Sequence, residues 1–161
     1  MTQWLIDTPS VCVRRFRPQD AQQLWQALGD EQVMAFIEPP YTLAQTEDFI
    51  AAVGLCEPPL VYAVQRKADG CVIGHVIWHS WNGDPLSREL GWILRRDCWG
   101  RGLAGEITQA LIAHARDTGL RTLVLECDAA QAATRHIALK YGFERVPSDG
   151  PLHQYVLALD A

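Results

Sequence analysis

The segment Trp99-Gly100-Arg101-Gly102-Leu103-Ala104-Gly105 constrains this chain more than any other. Three glycines fall within six positions, and an apolar pattern of helical period starts directly behind them. Leu103, Ile107, Ala110, Leu111 and His114 share one face of that helix, which should stop near Gly119. Glycines let a backbone turn sharply and let a ligand come close. A helix start behind them presents free N–H groups and a partial positive charge, and phosphate oxygens suit such a place. The segment therefore predicts a phosphate-bearing cofactor at residues 99–105.

Gly100, Gly102 and Gly105 also spell G-x-G-x-x-G, the dinucleotide fingerprint, and Glu126 closes a later strand where a ribose-binding acid would sit. Chain order argues against that reading. The fingerprint belongs after the first strand of its fold, whereas four strand patterns precede it here. Residues 95–99 separate the glycines from the preceding strand, and the remaining ~60 residues hold only one more parallel unit. A dinucleotide-binding protein stays as an alternative. No G-K-S/T follows, so a P-loop is absent. A pyrophosphate held at one glycine-rich helix start, as in coenzyme A, fits the order better.

The rest of the chain supplies that order. Residues 11–16 form a short strand, and Pro18 opens a helix carrying Ala21, Leu24, Trp25 and Leu28. Glu38-Pro39-Pro40-Tyr41 is extended or turning. Thr42 and Gln45 make a capping-box pair for a helix with Phe49, Ile50 and Val53, stopping at Gly54. The period then changes to two. Residues 60–67 and 71–79 are strands joined by Ala68-Asp69-Gly70, and a looser turn, Asn82-Gly83-Asp84-Pro85, leads to a strand at 88–94. After the glycine segment and its helix, 122–126 is an apolar strand that suggests a β-α-β unit. A helix over about 130–141 ends at Gly142, and strands at 143–146 and 154–159 follow. The chain is thus a mixed α/β domain with both antiparallel and parallel pairing.

At 161 residues and 48% hydrophobic content it reads as a single domain over 1–161, able to bury about two-thirds of its unfolded surface. A net charge of −5 gives no basic footprint for nucleic acid. No run approaches the ~20 apolar residues that span a bilayer, and no secretory signal pattern opens the chain. Five cysteines lie scattered without a C-x-x-C pair, so they read as free thiols of a cytoplasmic protein without zinc-site spacing. His75 and His79 share strand parity but stand ~13 Å apart, too far to ligate one metal. Cys127 has no visible histidine partner to make it a nucleophile.

At Glu89-Leu90-Gly91-Trp92-Ile93-Leu94 followed by Trp99-Gly100-Arg101-Gly102-Leu103-Ala104, the sequence resembles the central motif of the GNAT superfamily of N-acetyltransferases. Trp99, Gly102 and Ala104 occupy the defined positions of Q/R-x-x-G-x-G/A, with Trp99 in place of Gln or Arg. That replacement is similar to the subgroup of ribosomal-protein N-terminal acetyltransferases. Gln131-Ala132-Ala133-Thr134 with Lys140-Tyr141-Gly142-Phe143, and the segment Glu38-Pro39-Pro40-Tyr41-Thr42, resemble the same subgroup. Val72-Ile73-Gly74-His75-Val76 matches the third-strand I-G motif. The resemblance spans about 11–159. It implies a GNAT-like, mixed and mostly antiparallel central sheet of about six to seven strands flanked by about four helices.

The resemblance also implies roles. Acetyl-CoA is the co-substrate and no metal is used. The backbone around Trp99, Gly100, Arg101, Gly102, Leu103, Ala104 and Gly105 cradles the pyrophosphate, with Arg95 and Arg96 near its charge and Gln131 where the family has an asparagine on the cofactor. The strand at 92–94 splays from its neighbour, and the amide near Ile93 or Leu94 polarises the acetyl carbonyl. Glu89 is the general base, directly or through water, because the attacking amine must lose a proton. The family's tyrosine acid position holds Ala138, which leaves Tyr141, a residue with helical packing spacing, as the candidate acid. Tyr41, His75, Trp78 and Trp92 line the acceptor cleft, entered between residues 38–42 and 147–151. The expected activity is direct transfer of an acetyl group to a primary amine, of a protein N-terminus or a small molecule, by a monomer or homodimer. A non-catalytic acetyl-CoA-binding module is the alternative from a different class.

Overall fold

A computed structural model describes residues 4–159 of the chain, so the ends of the expected span, 1–3 and 160–161, lie outside the described residues. The strands are β1 (Trp4–Asp7), β2 (Val11–Arg14), β3 (Val61–Arg66), β4 (Val72–Trp81), β5 (Asp84–Leu94), β6 (Thr122–Cys127), β7 (Glu144–Val146) and β8 (His153–Ala158). They make one eight-stranded sheet in the order β1-β2-β3-β4-β5-β6-β8-β7. Among the described strands only β5 and β6 pair in parallel. The helices are α1 (Ala21–Leu28), α2 (Leu43–Phe49), α3 (Leu103–Asp117) and α4 (Ala132–Lys140). The mixed, mostly antiparallel class holds, and the sheet is one strand wider than six to seven. The added strand is β1, four residues long with only Ile6 buried, so it carries no apolar alternation to reveal it.

Local chemistry accounts for most of the boundaries. Thr42 Oγ1 accepts from the Gln45 N–H and Gln45 Oε1 from the Thr42 N–H, which is the expected capping box at the start of α2. The turn at Asn82-Gly83 is tight where a looser one was expected. Both residues have positive φ, 50° and 73°, the conformation of a two-residue hairpin turn. Pro85, which signals a looser loop, does no harm there. The β4–β5 register jumps from Ser80↔Arg88 to Trp81↔Asp84, and Pro85 falls in the irregular stretch, where its missing N–H breaks no ladder bond.

The sheet buries both faces. Against one face lie α3 and α4, with Ile107, Leu111, Leu123, Leu125 and Phe143 in a common apolar cluster. Each such side chain contributes about 1.5–3 kcal/mol by leaving water. The other face is covered by α1, α2 and a π-helical turn at Ile50–Gly54, with Leu24, Leu28, Ile50, Val61 and Ala63 buried together. No helix among the described residues is long and apolar enough to cross a membrane.

The glycine of the I-G pair has a steric reason. A Cβ built on Gly74 would lie 1.9 Å from the Ile93 carbonyl oxygen on β5, where only backbone can yield. Gly74→Ala should therefore force β4 and β5 apart and cost roughly 2–3 kcal/mol, the upper range for overpacking. Urea unfolding would measure it, and an unchanged midpoint would show that the two strands separate freely.

Candidate active site

Pairing between β5 and β6 runs through Ser87↔Thr122, Arg88↔Leu123 and Glu89↔Val124 and then stops, although β5 continues to Leu94 and β6 to Cys127. The two strands splay beyond Glu89. The backbone along the open edge of β5 follows from ladder alternation. The Arg95 N–H donates to the Ile73 carbonyl on β4 at 2.7 Å, and the Leu86 carbonyl accepts from Arg121 at 2.8 Å on the β6 side. Trp92 and Leu94 therefore turn their backbone groups toward the gap, while those of Ile93 face β4. Of the two amides expected to meet an acetyl carbonyl, only that of Leu94 is aimed into the gap; the second gap-facing residue is Trp92. The Leu94 carbonyl accepts from Trp99 Nε1 at 3.0 Å, so Trp99 ties the glycine segment to the end of β5.

The glycine segment opens onto the same region. Gly100 and Gly102 have φ of 72° and 78°, which glycine adopts without the strain of a side chain. A Cβ on either would meet nothing within 4 Å. Gly102 is the N-cap of α3 and supplies no side-chain hydrogen bond, so the amides of Leu103, Ala104 and Gly105 have no side-chain acceptor among the described residues. Gly105 serves differently. Its Cβ would lie 3.2 Å from the Tyr141 hydroxyl, which makes it a packing position between α3 and the end of α4. Arg96 spans from the short 3-10 turn at Arg96–Cys98 to Asp30 and Gln32, at 3.0 and 2.7 Å.

Glu89 sits at the vertex of the split, with its side chain 17% exposed. Directly across the β4–β5 ladder stands His79, whose Nε2 is 3.1 Å from Glu89 Oε1. Burial pushes the Glu89 carboxyl above its ordinary range; His79 pulls it down and Glu126 on β6 pushes it up again. The sequence sets His79 apart only as too far from His75 to share a metal, and nothing in it signals this partnership. The register jump next to the hairpin creates it. A plain ladder continuing from Trp81↔Asp84 would set His79 opposite Leu86.

The expected cleft residues divide between two faces. His75 is 3% exposed and stacks on Phe49 at 5.2 Å, and Phe49 meets Tyr41 edge-on at 5.9 Å. Tyr41 donates its hydroxyl proton to Glu38, and its own pKa is pushed up to about 12 by burial and that contact. Trp78 and Trp92 are corrections, since both pack into the cluster beneath α3 on the opposite face. Trp78 is buried with its ring edge-on to His114 at 5.9 Å. Strand alternation forbids Trp78 from sharing a face with His75 and His79.

Other expected residues are placed as follows. Gln131 turns its Oε1 back to the Asp128 N–H at 2.8 Å, which closes its own loop. Tyr141 is half-buried at the end of α4, against Gly105, and makes no contact with Glu89 among the described residues. Ala138 is fully buried. The two segments expected to frame the entrance each line a surface cavity. One, of about 480 Å³, is bounded by Met34, Phe36, Ile37, Glu38, Pro39 and Asp128. The other, of about 650 Å³, is bounded by Arg145, Pro147, Ser148, Pro151 and His153.

A family model described as an acetyltransferase (GNAT) domain matches residues 10–144. The chain belongs to the GNAT acetyltransferase family. Solved GNAT structures share its fold across nearly the whole length. A GNAT-family acetyltransferase from Bacillus anthracis superposes with a TM-score of 0.82 at 20% identity, covering 96% of this chain and 96% of that one. A protein provisionally described as a ribosomal-protein-serine acetyltransferase from Vibrio cholerae gives 0.81 at 19% identity, covering 96% and 97%. The microcin C7 self-immunity acetyltransferase MccE, solved in complex with acetyl-CoA and AMP, gives 0.79 at 15% identity, covering 94% and 93%. No curated protein matches the sequence.

Proposed function

We propose that this GNAT domain transfers an acetyl group from acetyl-CoA to a primary amine by direct attack. The observation that carries the reading is the split between β5 and β6, with half-buried Glu89 at its vertex and the uncapped N-terminus of α3 at its mouth. Open glycine positions and free amides suit a pyrophosphate, and the Arg96 bridge holds the neighbouring turn in place. Bound acetyl-CoA supplies the acetyl thioester. The amides of Leu103, Ala104 and Gly105 hold its pyrophosphate. Gap-facing backbone groups of Trp92 and Leu94 orient the arm and donate to the acetyl carbonyl, where a preorganised donor is most effective. Glu89 takes a proton from the incoming amine, and burial suits it to that task by raising its proton affinity. The second proton of the amine passes to the departing thiolate, through water or through Tyr141.

The acceptor enters between the two lined cavities. The first carries Glu38 and Asp128 beside Phe36 and Ile37, a lining that suits an ammonium on an apolar body. Protein N-termini and small amines both meet that description, the former in keeping with the ribosomal-protein subgroup. We place the protein in the cytoplasm as one domain, in keeping with five unpaired cysteines, acting as a monomer or homodimer. The buried alanine at 138 favours one second reading, a module that holds acetyl-CoA without turning it over.

One experiment separates the two. The protein is incubated with acetyl-CoA and a panel of N-terminal peptides, polyamines and amino sugars, and thiol release is followed alongside calorimetry. Acceptor-dependent thiol release is expected. Tight binding of acetyl-CoA with no release for any amine would leave the binding module, and binding of NAD alone would overturn both.

A further inference from the structure

We propose that His79 is a positioning residue that makes, with Glu89, a single proton-accepting unit for the amine. The inference rests on the reading of Glu89 as the base and assigns His79 a part in it. The argument begins at the other side of the ring. His79 Nδ1 lies 2.9 Å from the Ser80 carbonyl oxygen. A carbonyl only accepts, so Nδ1 must carry the hydrogen. That fixes the neutral ring as the Nδ1–H tautomer and leaves a lone pair on Nε2. This lone pair faces Glu89 Oε1 at 3.1 Å. A lone pair and an ionised carboxylate repel each other, so the contact closes only when one proton lies between them. The two groups then hold that proton jointly, between Oε1 and Nε2.

The surroundings favour that sharing. Glu126 on β6 adds negative charge beside Glu89. Arg88 on β5 is directed to the Ser80 hydroxyl and the Pro85 carbonyl. Glu47 and Asp48 of α2 are exposed and make no hydrogen bond or ion pair with either member among the described residues. Glu89 Oε2 has no protein partner among the described residues, which leaves one carboxylate oxygen for the acceptor.

The step balances simply. Before reaction Glu89 is ionised and His79 neutral. An N–H bond of the acceptor ammonium breaks, its electron pair stays on nitrogen for the attack, and the proton passes to the carboxylate and comes to rest between Oε1 and Nε2. The C–N bond then forms and the C–S bond breaks. The thiolate takes the second proton from nitrogen, and the proton of the pair leaves to water. A lone carboxylate is a weak base toward an ammonium; the pair is a stronger one.

Two measurements on the full chain test this. In ¹⁵N-histidine NMR, with the His79 signal identified by its loss in His79→Gln, the neutral ring should show the Nδ1–H tautomer, and its Nε2 chemical shift should change in Glu89→Gln. An Nε2–H tautomer overturns the proposal. In kinetics, His79→Gln keeps a side chain that can contact Glu89 but cannot titrate. It should lower kcat about tenfold and move the acidic limb of the kcat/KM profile to lower pH by about one unit, with KM for acetyl-CoA held. A wild-type rate and profile in His79→Gln, with Glu89→Gln inactive, removes the role of His79 alone. A fully active Glu89→Gln removes the base itself and this proposal with it.

Discussion

Replacing Glu89 by glutamine should lower kcat/KM for acetyl transfer by about 10²–10⁴-fold, the usual contribution of a positioned general base, while calorimetry shows acetyl-CoA binding nearly unchanged. The substitution is close to isosteric, so the packing at the vertex survives. His79 Nε2 can accept a hydrogen bond from the new amide nitrogen, and the removed proton acceptor is the only large change. The pH profile sharpens the expectation. Because burial raises the Glu89 pKa, the parent enzyme should lose activity on its acidic limb at a pH above the ordinary carboxylate range, and the variant should lack that limb. A variant as fast as the parent would show that solvent deprotonates the amine.

His75 should make stability fall on mild acidification. The ring is 3% exposed, and its Nδ1 has no hydrogen-bond partner among the described residues. Burial pushes its pKa down from 6.5 to about 4. The unfolded chain therefore binds a proton more readily than the folded one throughout that interval. Stability from this group is fully present above pH 6.5, declines as pH falls and levels off below about 4. The loss is on the order of 2 kcal/mol by pH 5 and about 3 kcal/mol in all. Urea unfolding of the parent and of His75→Leu at pH 7.5 and 5.0 isolates it from the carboxylates, which titrate in both proteins. Equal losses in the two would mean that the buried ring finds a partner when it charges.

These two residues show how unevenly function is written along the chain. The glycine segment was legible because its chemistry is local. Positive φ at Gly100 and Gly102 and a helix start behind them need only adjacent residues, and chain order was enough to set aside the dinucleotide fingerprint. The parallel return of β6 was legible too, from one apolar strand following one helix. Glu89 stood out by its place in a motif. Its partner did not.

The register decided that. His79 and Glu89 face each other only because the β4–β5 ladder shifts beyond Ser80, and no local pattern in 80–88 announces the shift. The same limit separated Trp78 from His75. Trp78 is next to His79 and three residues from His75, and the pleat of β4 sends Trp78 beneath α3 and leaves His75 against Phe49. The sequence by itself determined the family-level fold, the glycine turn before α3 and the carboxylate at the vertex, because each follows from neighbours in the chain. Only the tertiary structure decided which backbone groups face the split, which histidine meets Glu89 and which tryptophans leave the cleft. Those depend on pairing between strands, where a shift of one residue reverses every side chain's face.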